Sequence, residues 1–188
     1  MQPTPLIPDF TFLEEVEAAG PFFISRCFQC RKCTNGCPVT FEMDIYPDQI
    51  IRLAQLGQKD EILRSKTIWI CASCETCSTR CPNEVRIAEV MDYFKELAIR
   101  EGVPVPQPQV LAFHKSFLEN VKLTGRAFEG ALIPMYLYRS GLLRGKLRKG
   151  TWRDELRLGI GLFKKRRLSI LPKILKGRAE VRKILRYS

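Results

Sequence analysis

Apolar positions along this 188-residue chain recur mostly at helical spacing. In "EVRIAEVMDYFKELAIREG", Ile87, Val90, Met91, Phe94, Leu97 and Ala98 share one helical face. Asn83 is a good N-cap for this helix and Gly102 ends it. "IYPDQIIRLAQLG" reads as a shorter helix. Pro47 suits its first position, Asp48 complements the dipole, Ile50, Leu53, Ala54 and Leu56 form the apolar side, and Gly57 stops it. Thr11 to Glu14 reads as a capping box opening "TFLEEVEAAG", which Gly20 and Pro21 end. Brief helices are predicted at 60–65 and at 110–121. The intervening "VPVPQPQ" does not continue a helix. Strand patterning is confined to "TIWI", so the expected class is all-α.

Two stretches break the helical pattern, "CFQCRKCTNGCP" and "CASCETCSTRCP". They hold all eight cysteines. Cys27, Cys30, Cys33 and Cys37 map onto Cys71, Cys74, Cys77 and Cys81 with a constant offset of 44. The residues between the cysteines differ, so the repeat is one of ligand geometry. Each run ends in Cys-Pro, and proline turns the chain away from a helical course at the cysteine.

No apolar run approaches the roughly 18 residues of a membrane span. The first twenty residues lack a basic region followed by an apolar stretch, so no secretion signal is expected and the chain reads as cytoplasmic. Thiols stay reduced there, and clustered cysteines point to metal or redox chemistry. Three thiolates at C-x2-C-x2-C wrap one iron–sulfur cubane, and in two-cluster ferredoxins the fourth cysteine of each run ligates the other cluster. Applied here, Cys27, Cys30, Cys33 and Cys81 hold one [4Fe-4S] cluster. Cys71, Cys74, Cys77 and Cys37 hold the second. Zinc is the competing metal, but it uses two C-x2-C pairs or cysteines with histidines, and two full runs exceed that need. A redox disulfide needs only one pair. His114 is the single histidine, too few for a Rieske centre. No catalytic carboxylate pair or phosphate loop stands out.

Arg26, Arg31, Lys32 and Arg80 flank the runs. Beside an anionic cluster such cations raise its reduction potential; otherwise they are solvated or form a docking rim. Thr34, Asn35, Gly36, Ser73, Ser78 and Thr79 either bring donors to the sulfurs or simply fit tight turns.

These runs, separated by a helical insert, resemble the α-helical ferredoxins, and residues 22–100 are most similar to the C subunit of heterodisulfide reductase. The resemblance implies an α-helical ferredoxin-like domain binding two [4Fe-4S] clusters, with a helical C-terminal extension. The chain itself is expected to divide into an N-terminal helix or arm (1–21), a dicluster domain (22–102), a helical extension (103–138) and a basic tail (139–188). By the same resemblance the chain makes no bonds itself. It relays single electrons between a flavoprotein resembling the A subunit of that enzyme and a CCG-domain catalytic partner, resembling its B subunit, that reduces a disulfide. The alternative is a dicluster subunit of a membrane-associated, quinone-linked oxidoreductase.

Charge adds one further feature. The net charge is +11, yet residues 139–188 hold 17 Lys and Arg against 3 Asp and Glu, while residues 1–138 hold 14 against 17. In the tail, Leu156, Leu158, Ile160, Leu162, Phe163, Leu168, Ile170, Leu171, Ile174 and Leu175 alternate with basic residues. It reads as binding an acidic face of a partner protein, as lying on the inner face of an anionic membrane, or as a nucleic-acid-binding or solvated segment. Nucleic acid is not the expected partner. Gly159, Gly161 and Pro172 are expected to interrupt any continuous helix. "RRLSI" (166–170) has the pattern of a basophilic phosphorylation site.

Overall fold

A computed structural model describes residues 7–142, 152–165, 172 and 174–185. They are helical and contain no strand among the described residues. The chain divides into two compact units, Met1–Gln107 and Pro108–Ser188.

In the first unit, α1 spans Phe10–Ala19, α2 Lys32–Gly36, α3 Pro47–Gln55, α4 Lys59–Arg64, α5 Thr67–Ile70, α6 Thr76–Thr79 and α7 Ile87–Arg100. Single 3-10 turns occur at Ile24–Arg26 and Thr40–Glu42. The longer helices bury one face each. Phe12 and Val16 of α1, Ile50, Ile51 and Ala54 of α3, Ile62 and Leu63 of α4, and Phe94, Leu97 and Ala98 of α7 make the core. Each large side chain there contributes about 1.5–3 kcal/mol of burial. Phe12 stacks on Phe94 at 6.0 Å between centroids, which fastens α1 to α7.

Several ends differ from expectation. The cap of α1 is Asp9, whose carboxylate accepts from the Thr11 amide (3.0 Å) and hydroxyl (2.6 Å), so Thr11 donates to the cap and is not itself the cap. α7 begins at Ile87, and Asn83 does not cap it. The Asn83 side-chain amide donates instead to the carbonyl of Arg26, and the Arg86 amide donates to the Phe22 carbonyl at 3.2 Å. The segment after the second run is thereby used to hold the entry to the first. "TIWI" is the short helix α5. Asp44 accepts the amides of Lys66 (2.8 Å) and Thr67 (3.1 Å), which supplies the helix start that the side-chain pattern does not encode. Burial raises the Asp44 carboxyl, but these amides and the Thr67 hydroxyl outweigh it and hold it below its ordinary value.

Pro47 does open α3, and the Gln49 side chain accepts the Tyr46 amide at 2.9 Å. Gly57 ends the α3 turn with φ +73°, and any Cβ there would overlap the Asp9 carbonyl. That close approach brings the Asp9 amide to the Leu56 carbonyl (3.1 Å) and joins the start of α1 to the end of α3.

In the second unit, α8 spans Pro108–Thr124, α9 Glu129–Arg139, α10 Trp152–Lys164 and α11 Arg178–Ile184. The buried face of α8 is small and polar: Ala112, Ser116, Asn120 and Thr124. Asn120 donates to the Phe128 carbonyl (3.1 Å) and accepts its amide (2.6 Å), which sets the entry to α9. α11 packs along α8, with the Arg182 guanidinium on the Lys122 carbonyl at 2.8 Å. α10 runs through Gly159 and Gly161, contrary to the expected interruption. Glycine costs about 1 kcal/mol relative to alanine in a helix but does not forbid one. The "RRLSI" motif lies outside the described residues. No helix among the described residues is long and apolar enough to cross a membrane.

Candidate metal centre

The repeat seen in the cysteine spacing extends to the backbone. Gln29 and Arg31 have φ of 61° and 62°; their equivalents Ser73 and Glu75 have φ of 49° and 59°. Non-glycine residues rarely enter this region, and alternating it with ordinary turns points successive amides into one concavity suited to an anion. The amides of Gln29 and Ser73 bond the sulfurs of Cys27 and Cys71. The Thr34 amide likewise bonds Cys33, and the amide and hydroxyl of Ser78 bond Cys77. The third cysteine of each run sits on a one-turn helix, α2 or α6, and these two helices pack together.

Hydroxyls of the same equivalent pair anchor each run to the following helix. Thr34 Oγ1 accepts the Asp48 amide at 3.1 Å and donates to the Asp48 carboxylate. Ser78 Oγ accepts the Ala88 amide at 3.1 Å. Gln55 adds a clamp, its Nε2 donating to the carbonyls of Ile24 (2.9 Å) and Cys27 (3.1 Å).

Thiols from the two runs are brought together across the repeat. Cys37 lines a pocket with Cys71, Cys74 and Cys77, walled by Val39, Met43, Ile87 and Met91. Cys37 is close enough to Cys71, and Cys81 to Cys27, to disfavour ionisation of those partners. Burial pushes the thiols of Cys33 and Cys77 up to about 11, and those of Cys27 and Cys71 upward as well. The Thr76 hydroxyl and amide hold exposed Cys74 below its ordinary value. Cys30, also exposed, completes the first run. Ligation by thiolates therefore displaces protons from buried sulfurs.

The donor set fits two iron–sulfur groups. All eight thiols are free, and sulfur ligands suit iron–sulfur clusters. Among the described residues, no three Cys, His, Asp or Glu side chains converge closely enough for a single metal ion. Four sulfurs about 2.3 Å from one zinc would have to crowd together; a cubane, with irons and sulfides at its corners, holds its thiolates farther apart.

The four flanking cations have different fates. Arg31 pairs with Asp48 at 3.5 Å and Arg26 lies 4.0 Å over the Phe23 ring. Lys32 is exposed, and Arg80 lies against Gly36. Of the small polar residues, Ser73 donates its hydroxyl to Asp92 (2.6 Å), while Thr79 bonds only its own helix at the Glu75 carbonyl (2.9 Å). His114 lies on α8 beside Phe113, in the second unit. Sequence reasoning missed Asp92, Lys95 and Gln55, and read Asp48 only as a helix-dipole residue. In α3 and α7 the offset falls to 40, which pairs Gln55 with Lys95 and Asp48 with Ala88.

Residues 23–85 match the family model of 4Fe-4S dicluster domains, which implies two [4Fe-4S] clusters. The curated relatives are heterodisulfide reductase C subunits. The chain is 39% identical over 98 residues to the C subunit of the H2:CoB-CoM heterodisulfide,ferredoxin reductase of Methanothermobacter marburgensis, covering 52% of this chain and 53% of that protein. It is 36% identical over 105 residues to the iron-sulfur C subunit of the CoB–CoM heterodisulfide reductase of Methanopyrus kandleri, covering 52% and 54%. It is 34% identical over 82 residues to the C subunit of the ferredoxin:CoB-CoM heterodisulfide reductase of Methanosarcina acetivorans, covering 44% and 33%. The chain thus spans about half the length, or less, of these relatives.

Proposed function

We propose that this chain is the electron-relay subunit of a heterodisulfide-reductase-like complex. Cys27, Cys30, Cys33 and Cys81 hold one cluster, and Cys71, Cys74, Cys77 and Cys37 hold the other. The observation that carries this reading is the pocket in which Cys37 of the first run joins three cysteines of the second. When bound, the clusters supply one-electron transfer. The chain's own residues hold and insulate them. The left-handed residues aim amides at sulfur, Thr34 and Ser78 fix the one-turn helices, and Val39, Met43, Ile87 and Met91 keep water from one wall.

The partners in this reading are a flavin- and iron–sulfur-containing protein on one side and a CCG-domain catalytic protein on the other. The names of the relatives, each a C subunit of a heterodisulfide reductase, support it. Anaerobic purification from the native host, with iron and sulfide quantified, tests it. About eight irons on this chain, with a flavoprotein and a CCG-domain protein alongside, are expected. Zinc in place of iron, or a membrane cytochrome in place of those partners, contradicts it.

A further inference from the structure

The two cysteine runs share a backbone but not the charges behind it. Past the cysteines the offset falls from 44 to 40: Thr34 accepts the Asp48 amide where Ser78 accepts the Ala88 amide, and Gln55 donates to the Cys27 carbonyl where Lys95 donates to the Cys71 carbonyl. Behind the first run, the Asp48 side chain is 8% exposed while its cation, Arg31, is 59% exposed. Behind the second run the order is reversed: Lys95 is 9% exposed while its anion, Asp92, is 49% exposed. The place of Lys95 is taken in the first half by the uncharged Gln55, the place of Asp48 in the second by Ala88, and that of Arg31 by Glu75. The polarity is therefore a property of each half and not of the repeat.

Both buried charges lie against the sulfur loops. Lys95 Nζ donates to the Cys71 carbonyl at 3.0 Å and to Asp92 at 2.8 Å. Asp48 bonds Thr34, which follows Cys33, through both its carboxylate and its amide. Solvent and salt screen exposed charges much more than buried ones. The first site therefore feels mainly an anion and the second mainly a cation.

Adding an electron to a cluster makes it more negative by one charge, which a near cation favours and a near anion opposes. We infer that the site of Cys71, Cys74 and Cys77 has the higher reduction potential and takes the first electron, with Lys95 and Asp48 as the residues that set the difference. One electron leaving the first-run site then passes to the second-run site downhill, the first being oxidised by one electron as the second is reduced. The inference rests on the two-cluster reading above, through the three cysteines of each run's own loop, and is independent of which fourth cysteine completes each set.

The test is a reductive titration of the anaerobic, cluster-loaded full chain with dithionite, followed by low-temperature electron paramagnetic resonance. Cys30→Ser and Cys74→Ser assign the two signals to their runs. The second-run signal is expected first. Lys95→Met should weaken reduction of that site at least tenfold, about 59 mV for one electron, and leave the first-run midpoint in place. Lys95→Arg should restore it. Asp48→Asn, which keeps an acceptor for Thr34, should raise the first-run midpoint. A first-run signal appearing first, or midpoints that Lys95→Met shifts equally or not at all with all eight irons retained, overturns the inference alone. Fewer than two clusters on the unaltered chain overturns the two-cluster reading and the inference with it.

Discussion

Gly36 and Arg80 are equivalent positions of the repeat, and they touch each other. A Cβ on Gly36 would stand 3.2 Å from both Cδ and Cζ of Arg80 and would collide with the guanidinium. Equivalent residues meet where a local two-fold axis passes, and α2 packs on α6 there. The thiol neighbours obey the same operation: Cys27 beside Cys81 maps onto Cys71 beside Cys37. Such an axis makes the two fourth ligands behave alike: if Cys37 completes the second site, Cys81 completes the first.

Gly36→Ala should therefore be a coupled substitution. The far end of Arg80 is exposed and can swing away, so the cost stays within about 1 kcal/mol, the range of a surface change with a small repacking. In an Arg80→Ala background the cost should vanish. Thermal unfolding of the cluster-loaded single and double variants measures the coupling; simple additivity would show that the two residues do not press on each other.

Gly57→Ala should cost more than about 1 kcal/mol, because it combines a φ of +73° with an overlap on backbone that cannot move aside. Thermal unfolding measures that loss. The Asp9 carbonyl is fixed by the α1 cap and by its own amide on Leu56, so relief would require the α1–α3 junction to open.

Thr34→Val removes the hydroxyl that serves both the amide and the carboxylate of buried Asp48. Unsatisfied buried groups of this kind cost about 1–3 kcal/mol. The unfolding temperature of the loaded protein should fall, and Thr34→Ser should recover most of it. Equal loss in Thr34→Ser, which keeps the hydroxyl, would contradict assigning the effect to the hydroxyl.

In the second unit, Asn120→Ala takes both partners from the Phe128 backbone at once. The entry to α9 should loosen by about 1–3 kcal/mol. Hydrogen exchange across 128–139 should then accelerate, while exchange in α3 and α7 stays unchanged.

Much of the first unit was legible because its signals are local. Pro47, the α7 stripe from Ile87 to Ala98, and the two C-x2-C-x2-C-x3-C-P runs each carry their meaning within a few residues. The misreadings share a physical cause. Asn83 and "TIWI" are decided by groups far away in sequence: the Arg26 carbonyl in one case, the Asp44 carboxylate in the other. The charge inversion was hidden for a similar reason. Asp48 and Lys95 look like ordinary helix residues until burial shows which member of each pair faces inward. The helix across Gly159 and Gly161 escaped because a modest propensity penalty was read as a break.

Crossed ligation of two clusters is the central claim, and four serine variants test it. Cys27→Ser, Cys37→Ser, Cys71→Ser and Cys81→Ser are each loaded anaerobically, and the reduced-cluster signals are recorded by electron paramagnetic resonance. Crossed ligation predicts that Cys37→Ser alters the same signal as Cys71→Ser, and that Cys81→Ser alters the same signal as Cys27→Ser. Cys37 grouping with Cys27, and Cys81 with Cys71, would contradict it.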